Sequence, residues 1–141
     1  MNIVLITAIV WLCAQLGKLA TRRDSGKKFR WVNLFDYGGM PSSHAASIAS
    51  LSTSIGLSEG WGSPLFAICV IIAVFIVHDA LRLRNIIQIQ SKLLNHVRAG
   101  LSPAVQSSYP VISEKVGHTV SEVLVGLLLG ILLTLLLTRI L

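Results

Sequence analysis

Three short stretches of this chain carry residue types whose spacing could do chemistry. Gly117-His118-Thr119-Val120-Ser121-Glu122 sets a histidine and a carboxylate four residues apart. At that spacing two side chains share one face of a helix. A carboxylate beside an imidazole selects its tautomer and makes it a better base or nucleophile. Glu122 falls one turn into an otherwise apolar run, where an unpaired carboxylate is costly, so it needs a partner. A second histidine ends the run Gly38-Gly39-Met40-Pro41-Ser42-Ser43-His44. The glycines permit backbone conformations that other residues resist. Pro41 suits the first turn of a helix, and Ser42 or Ser43 can cap that turn or offer a hydroxyl to an anion. The N–H groups at such a helix start favour a phosphate, with His44 beside it. The third stretch is His78-Asp79-Ala80-Leu81-Arg82-Leu83-Arg84. A guanidinium is the bidentate partner for phosphate, which points to Arg84. Arg82 reads as an interfacial anchor. Asp79 can bind a cation, pair with an arginine or anchor the following segment. The plain alternatives are a turn and cap at His44, a helix-packing pair at His118 and Glu122, and an anchor at Arg84.

The elements that must position these residues are apolar helices. The chain has 141 residues, enough for one domain (1–141). It is 53% hydrophobic and only 13% charged, with mean hydropathy +0.74. A soluble domain carries about 25% charged residues, so the composition points to a membrane protein. A bilayer crossing needs roughly 20 mostly apolar residues. Four stretches qualify, at 2–19, 42–57, 63–81 and 119–141. The second is the weakest by hydropathy, but its serines and alanines suit a central helix shielded by the other three. The expected fold is an all-α integral membrane protein, four transmembrane helices in a compact bundle with the active site at one membrane face. The segment 82–117 is polar. Its first half either continues the third helix or lies at the interface, Ser102 and Pro103 interrupt it, and 102–112 reads as loop. Cys13 and Cys69 sit in apolar runs and read as buried packing residues, not a disulfide framework or metal motif. The first segment has no charged leader and reads as a retained helix, not a signal peptide.

The net charge is +6. In a four-helix arrangement, 11 of the 12 Lys and Arg residues fall on one side, in the connections 18–30 and 82–115. The positive-inside rule puts that side in the cytoplasm. The charge then serves orientation and anionic lipid headgroups, not nucleic acid. The same alternation carries His44, Asp79, Arg84, His118 and Glu122 to helix ends on that one face.

With the motifs in place, Gly38-Gly39-Met40-Pro41-Ser42-Ser43-His44, the run from His78 to Asn95, and Glu114 to Gly130 together resemble the divergent branch of the type-2 phosphatidic acid phosphatase superfamily. The resemblance spans nearly the whole chain, from Ala14 to Gly130. Pro41-Ser42-Ser43-His44 resembles the superfamily's Pro-Ser-Gly-His, with Ser43 in place of Gly. His118 and Glu122 resemble its terminal histidine and aspartate, with Glu in place of Asp. Lys18 matches its first lysine. The first arginine has three candidates in Arg22, Arg23 and Arg30, of which Arg30 is taken into the site. The usual third-part arginine would stand near Ile112 and is missing, so Arg84 takes its place. Asp79, Gln90 and Asn95 fit the branch's own pattern.

The resemblance implies a hydrolase that uses no metal and no cofactor. His118 attacks phosphorus, Glu122 orients it, and His44 protonates the leaving oxygen and then activates water. Lys18, Arg30, Ser42, Ser43, Arg84 and Asp79 would bind the substrate. That substrate would be a phosphorylated lipid in the bilayer, such as phosphatidate, phosphatidylglycerophosphate or a polyprenyl pyrophosphate. The setting would be a prokaryotic plasma membrane or an organelle membrane, and a homodimer is left open. The rival reading is a non-catalytic protein of the same fold that binds lipid headgroups or carries phospholipid. A channel or transporter fits less well, because it would place functional polar residues mid-membrane.

Overall fold

The computed structural model describes residues 2–21, 39–114 and 118–140, and every element among them is helical. In chain order these are α1 (Ile3–Thr21), α2 (Ser43–Glu59), α3 (Pro64–His78), a π-helical segment (Asp79–Leu83), α4 (Arg84–Ala99), α5 (Pro103–Ser108) and α6 (Val120–Leu137). The π segment does not break the chain's course. α3, the π segment and α4 form one continuous helix from Pro64 to Ala99.

α2 touches α1, α3 and α6, and it is the most buried helix. Its small side chains permit this. Gly126 of α6 lies so close to α2 that a Cβ there would stand 2.5 Å from the Ser42 carbonyl oxygen. Gly130, one turn on, faces the Ala46 carbonyl and the Ala49 side chain in the same way. One further turn along, the Thr134 hydroxyl donates to the Ser50 hydroxyl at 2.7 Å, both fully buried. A stripe of small residues four apart thus brings two helices into backbone contact, with a hydroxyl pair closing the seam. α1 adds Ile6, Val10 and Ala14 against Ala46 and the leucines of α6.

Two helices are long and apolar enough to cross a bilayer, Pro64–Ala99 and Val120–Leu137, while Ile3–Leu19 is a shorter apolar helix. α2 is not among them, because its serines lower its hydropathy. The outer faces are strongly apolar: Val4, Val74, Phe75 and Leu132 are all more than 60% exposed. Such surfaces fit a membrane protein.

Several sequence expectations shift. The first half of 82–117 continues the third helix, as one of the two alternatives had it. Within 102–112 a short helix, α5, forms with Ser102 as its N-cap and Pro103 in its first turn. Pro41 lies outside α2, because Ser42 is the N-cap and the helix begins at Ser43. Cys69 is buried, but Cys13 is exposed on α1. An apolar run does not say whether a residue faces protein or lipid.

Candidate active site

The described site residues come from four elements that meet at one end of the bundle: the last turn of α1, the first turn of α2, the π segment with the start of α4, and the chain entering α6. A small apolar cluster beneath them fixes this meeting. Ala45 of α2, Ala80 of the π segment and Val123 of α6 are buried together, with Val77, Leu81 and Leu127 against them. Two backbone hydrogen bonds complete the junction. The Ser42 N–H donates to the Glu122 carbonyl at 3.0 Å, and the His118 N–H donates to the Ala80 carbonyl at 3.4 Å.

His118 and Glu122 form the best-defined pair. His118 Nδ1 lies 3.0 Å from Glu122 Oε2, and the imidazole is almost fully buried. Their contact differs in origin from the shared helix face that the spacing suggested. The helix starts at Val120, so His118 lies outside it, before the N-cap Thr119. A capping box turns Glu122 back: the Thr119 hydroxyl accepts from the Glu122 N–H, and Glu122 Oε2 accepts from the Thr119 N–H at 3.0 Å. One carboxylate oxygen therefore holds both the Thr119 N–H and the histidine. A carboxylate only accepts, so Nδ1 is the donor of this contact, and in the neutral imidazole Nε2 keeps its lone pair. Thr119 was missed as a site residue, although Thr-x-x-Glu before an apolar run is a readable capping signal.

The start of α2 divides its serines between two tasks. Ser42 is the cap, its hydroxyl accepting from the Ala45 N–H at 3.4 Å. With its own N–H given to the Glu122 carbonyl and its hydroxyl oxygen accepting from Ala45, Ser42 ties the start of α2 to α6. Ser43 accepts from Lys18 Nζ at 3.0 Å. Lys18 is only 5% exposed, so a buried ammonium stands beside the helix N-terminus. Thr21 ties the end of α1 to the segment before α2 by donating to the Met40 carbonyl at 2.6 Å. Gly39 in that segment has φ 95°, a conformation that requires glycine.

His44 is exposed at the same end, within electrostatic reach of Arg84, Lys18, His118 and Asp79. Arg84 Nε donates to Asp79 Oδ2 at 2.9 Å. This resolves the three options for Asp79 in favour of the arginine pair. The π turn between them lets both side chains reach the site end without ending the helix, and such turns recur at functional sites. A cavity of about 250 Å³ opens beside His118, walled by Leu81, Asn85, Gln88, Thr119 and Val120. Gln88 was not anticipated. Asn95 serves elsewhere: its amide clasps the N–H and carbonyl of Ile112 and bonds to Glu114, folding the segment after α5 back along α4. Arg30, with Arg22 and Arg23, lies outside the described residues.

Comparison with known proteins agrees with the residue pattern. The family described as "Divergent PAP2 family" matches residues 1–133. A relative from Bacillus subtilis (strain 168), named "Uncharacterized membrane protein YuiD", is 34% identical over 132 residues, covering 86% of this chain and 82% of the relative. No solved structure matches. The chain belongs to the divergent PAP2 family.

Proposed function

We propose that this protein is a membrane phosphatase that hydrolyses a phosphate or pyrophosphate ester of a lipid through a phosphohistidine at His118. The observation that carries the reading is the 3.0 Å contact between His118 Nδ1 and a Glu122 oxygen already held by the Thr119 N–H. It leaves Nε2 as a nucleophile of fixed orientation. The cations Lys18 and Arg84 and the acid–base candidate His44 lie at the same bundle end.

Nε2 of His118 attacks phosphorus, the phosphorus–oxygen bond to the lipid breaks, and His44 gives its proton to the leaving oxygen. His44 then takes a proton from water, which attacks phosphorus. The phosphorus–nitrogen bond breaks and inorganic phosphate leaves. Glu122 stabilises the positive charge on the imidazole while the intermediate lasts. Lys18 and Arg84 offset charge on the phosphoryl oxygens, with Ser43 and the first-turn N–H groups of α2.

In this reading α1, α2, the α3 portion and α6 all cross the bilayer, with both termini outside and the site at the cytoplasmic face. The lengths agree. α1, α2 and α6 have 19, 17 and 18 residues, about 26 to 29 Å at 1.5 Å per residue, against a hydrocarbon core of about 30 Å.

The test is a panel of phosphatidate, phosphatidylglycerophosphate and polyprenyl pyrophosphate with the purified protein and no added metal. Phosphate release from at least one is expected, together with an acid-labile phosphoprotein, and His118→Ala should remove both. Full activity in that variant would end the assignment. One observation favours a headgroup-binding protein without turnover: Asp79 already engages Arg84, which lessens the charge available to a phosphoryl group. Binding that depends on Arg84 and His44, with no phosphate release across the panel, would select that reading.

A further inference from the structure

The continuous helix from Pro64 to Ala99 has 36 residues, about 54 Å at 1.5 Å per residue, against a hydrocarbon core of roughly 30 Å. α2 leads away from the site, so the long helix starts at the opposite end of the bundle and returns to the site at the π segment. α4, its last 16 residues, therefore projects past the site end by about 24 Å.

The two sides of α4 differ. One is engaged within the chain. Asn85 and Gln88 wall the cavity beside His118, and Ser91 is buried. Asn95 bonds to Ile112 and Glu114, and Arg98 to the carbonyls of Gln106 and Tyr109. The outer side is bare and apolar: Ile86, Ile87, Leu93, Leu94 and Val97 are 43% to 62% exposed. Gln90 is exposed in the middle of them. Ile86, Gln90, Leu93 and Val97 follow the spacing of a coiled-coil seam, with Ile87 and Leu94 along its edge.

Three features say what covers this face. An apolar face that stands clear of the hydrocarbon core calls for a protein partner. The charges of α4 lie off the seam: at 3.6 residues per turn Lys92 stands about 200° from Gln90, and Arg84 and Arg98 are tied to Asp79 and to the returning segment. A second basic helix can thus approach without meeting like charge. Finally, an amide carries both donors and an acceptor, so Gln90 is complementary to itself. Lipid tails or a wholly apolar partner would strand it, whereas a copy of the same helix satisfies it.

We propose that the outer face of α4 is a dimerisation seam that pairs with the same face of a second copy, Gln90 against Gln90. Two copies in one membrane share an orientation, so the two-fold axis runs along the membrane normal and the helices are parallel. A polar residue at one seam position fixes register and pairing at some cost in stability. The inference needs the long helix to cross the bilayer, and it does not rest on the phosphatase reading.

The experiment uses the full chain in phosphatidylcholine proteoliposomes, with Cys13 and Cys69 replaced by alanine and one cysteine added at a time. Under mild oxidation Gln90→Cys and Leu93→Cys should each give disulfide-linked dimers, and Lys92→Cys, on the opposite side, about a tenth as much or less. A measurement without added cysteines follows the dimer fraction by single-molecule photobleaching as the lipid-to-protein ratio rises. There Gln90→Glu, which sets two carboxylates face to face at an exposed position, should weaken association about tenfold or more, and Lys92→Gln should leave it unchanged. Monomers at every dilution overturn the proposal. So does equal cross-linking at residues 90, 92 and 93, which marks random collision. Quenching of a fluorophore at residue 93 by brominated lipid, with no cross-link at 90 or 93, overturns it in favour of the membrane surface as the occupant.

Discussion

Replacing Glu122 by glutamine isolates the charge of the carboxylate from its structural role. The capping box accepts either Glu or Gln at this position, so the Thr119 N–H keeps an oxygen acceptor and α6 keeps its start. What is lost is the negative charge 3.0 Å from His118 Nδ1. At an effective dielectric of about 20, a full charge pair at that distance is worth roughly 5 kcal/mol. About half a charge develops on the imidazole in the transition state, so roughly 3 kcal/mol is at stake, about a hundredfold in rate. The 18% exposure of the Glu122 side chain trims this further without removing it. Rapid-quench measurement of phosphoenzyme formation should therefore show kcat down about a hundredfold or more, with KM little changed. Unchanged phosphoenzyme formation in Glu122→Gln, with the protein folded, would refute the orienting role.

Three further outcomes follow from the same geometry. Gly130→Ala drives a methyl into the Ala46 carbonyl and the Ala49 side chain and should cost about 1–3 kcal/mol, read as a lower unfolding midpoint in detergent. Gly62→Ala, which meets nothing within 4 Å, should leave the midpoint where it is, and equal effects from the two would contradict the α2–α6 seam. Lys18→Met keeps the buried stem but removes the ammonium bonded to Ser43, so kcat/KM should fall by about tenfold or more, and Ser43→Ala added to it should cost less than it does alone. Thr119→Val loses the hydroxyl cap, about 1 kcal/mol of stability, but keeps the backbone N–H that holds Glu122. Its activity should drop less than that of Glu122→Gln, and a larger drop would assign the threonine hydroxyl a part in the chemistry.

The helices were legible because apolar composition over a sufficient length is a local property. So was the gathering of site residues at one end, since successive helices of a membrane bundle alternate in direction. The pairing of His118 with Glu122 was legible for a different reason from the one that holds it: spacing of four suggested a helix face, and a capping box supplies the contact. The small-residue content of α2 marked it as a central helix before its neighbours were known.

Other features depended on contacts between distant residues. Ser42 and Ser43 were interchangeable in the sequence. Lys18 from α1 and the Glu122 carbonyl from α6 decided which serine caps and which meets the ammonium. Asp79 had three possible roles in the sequence, and the π turn sets it 2.9 Å from Arg84. That turn leaves no mark in the sequence, because it changes the hydrogen-bond register and not the residue types. Cys13 was misjudged because hydropathy does not distinguish lipid from protein as a neighbour. The sequence by itself determined the helices, the end of the bundle at which chemistry gathers and the family. The tertiary structure alone decided which atoms meet there, because that depends on how closely Gly126 and Gly130 let α6 approach α2.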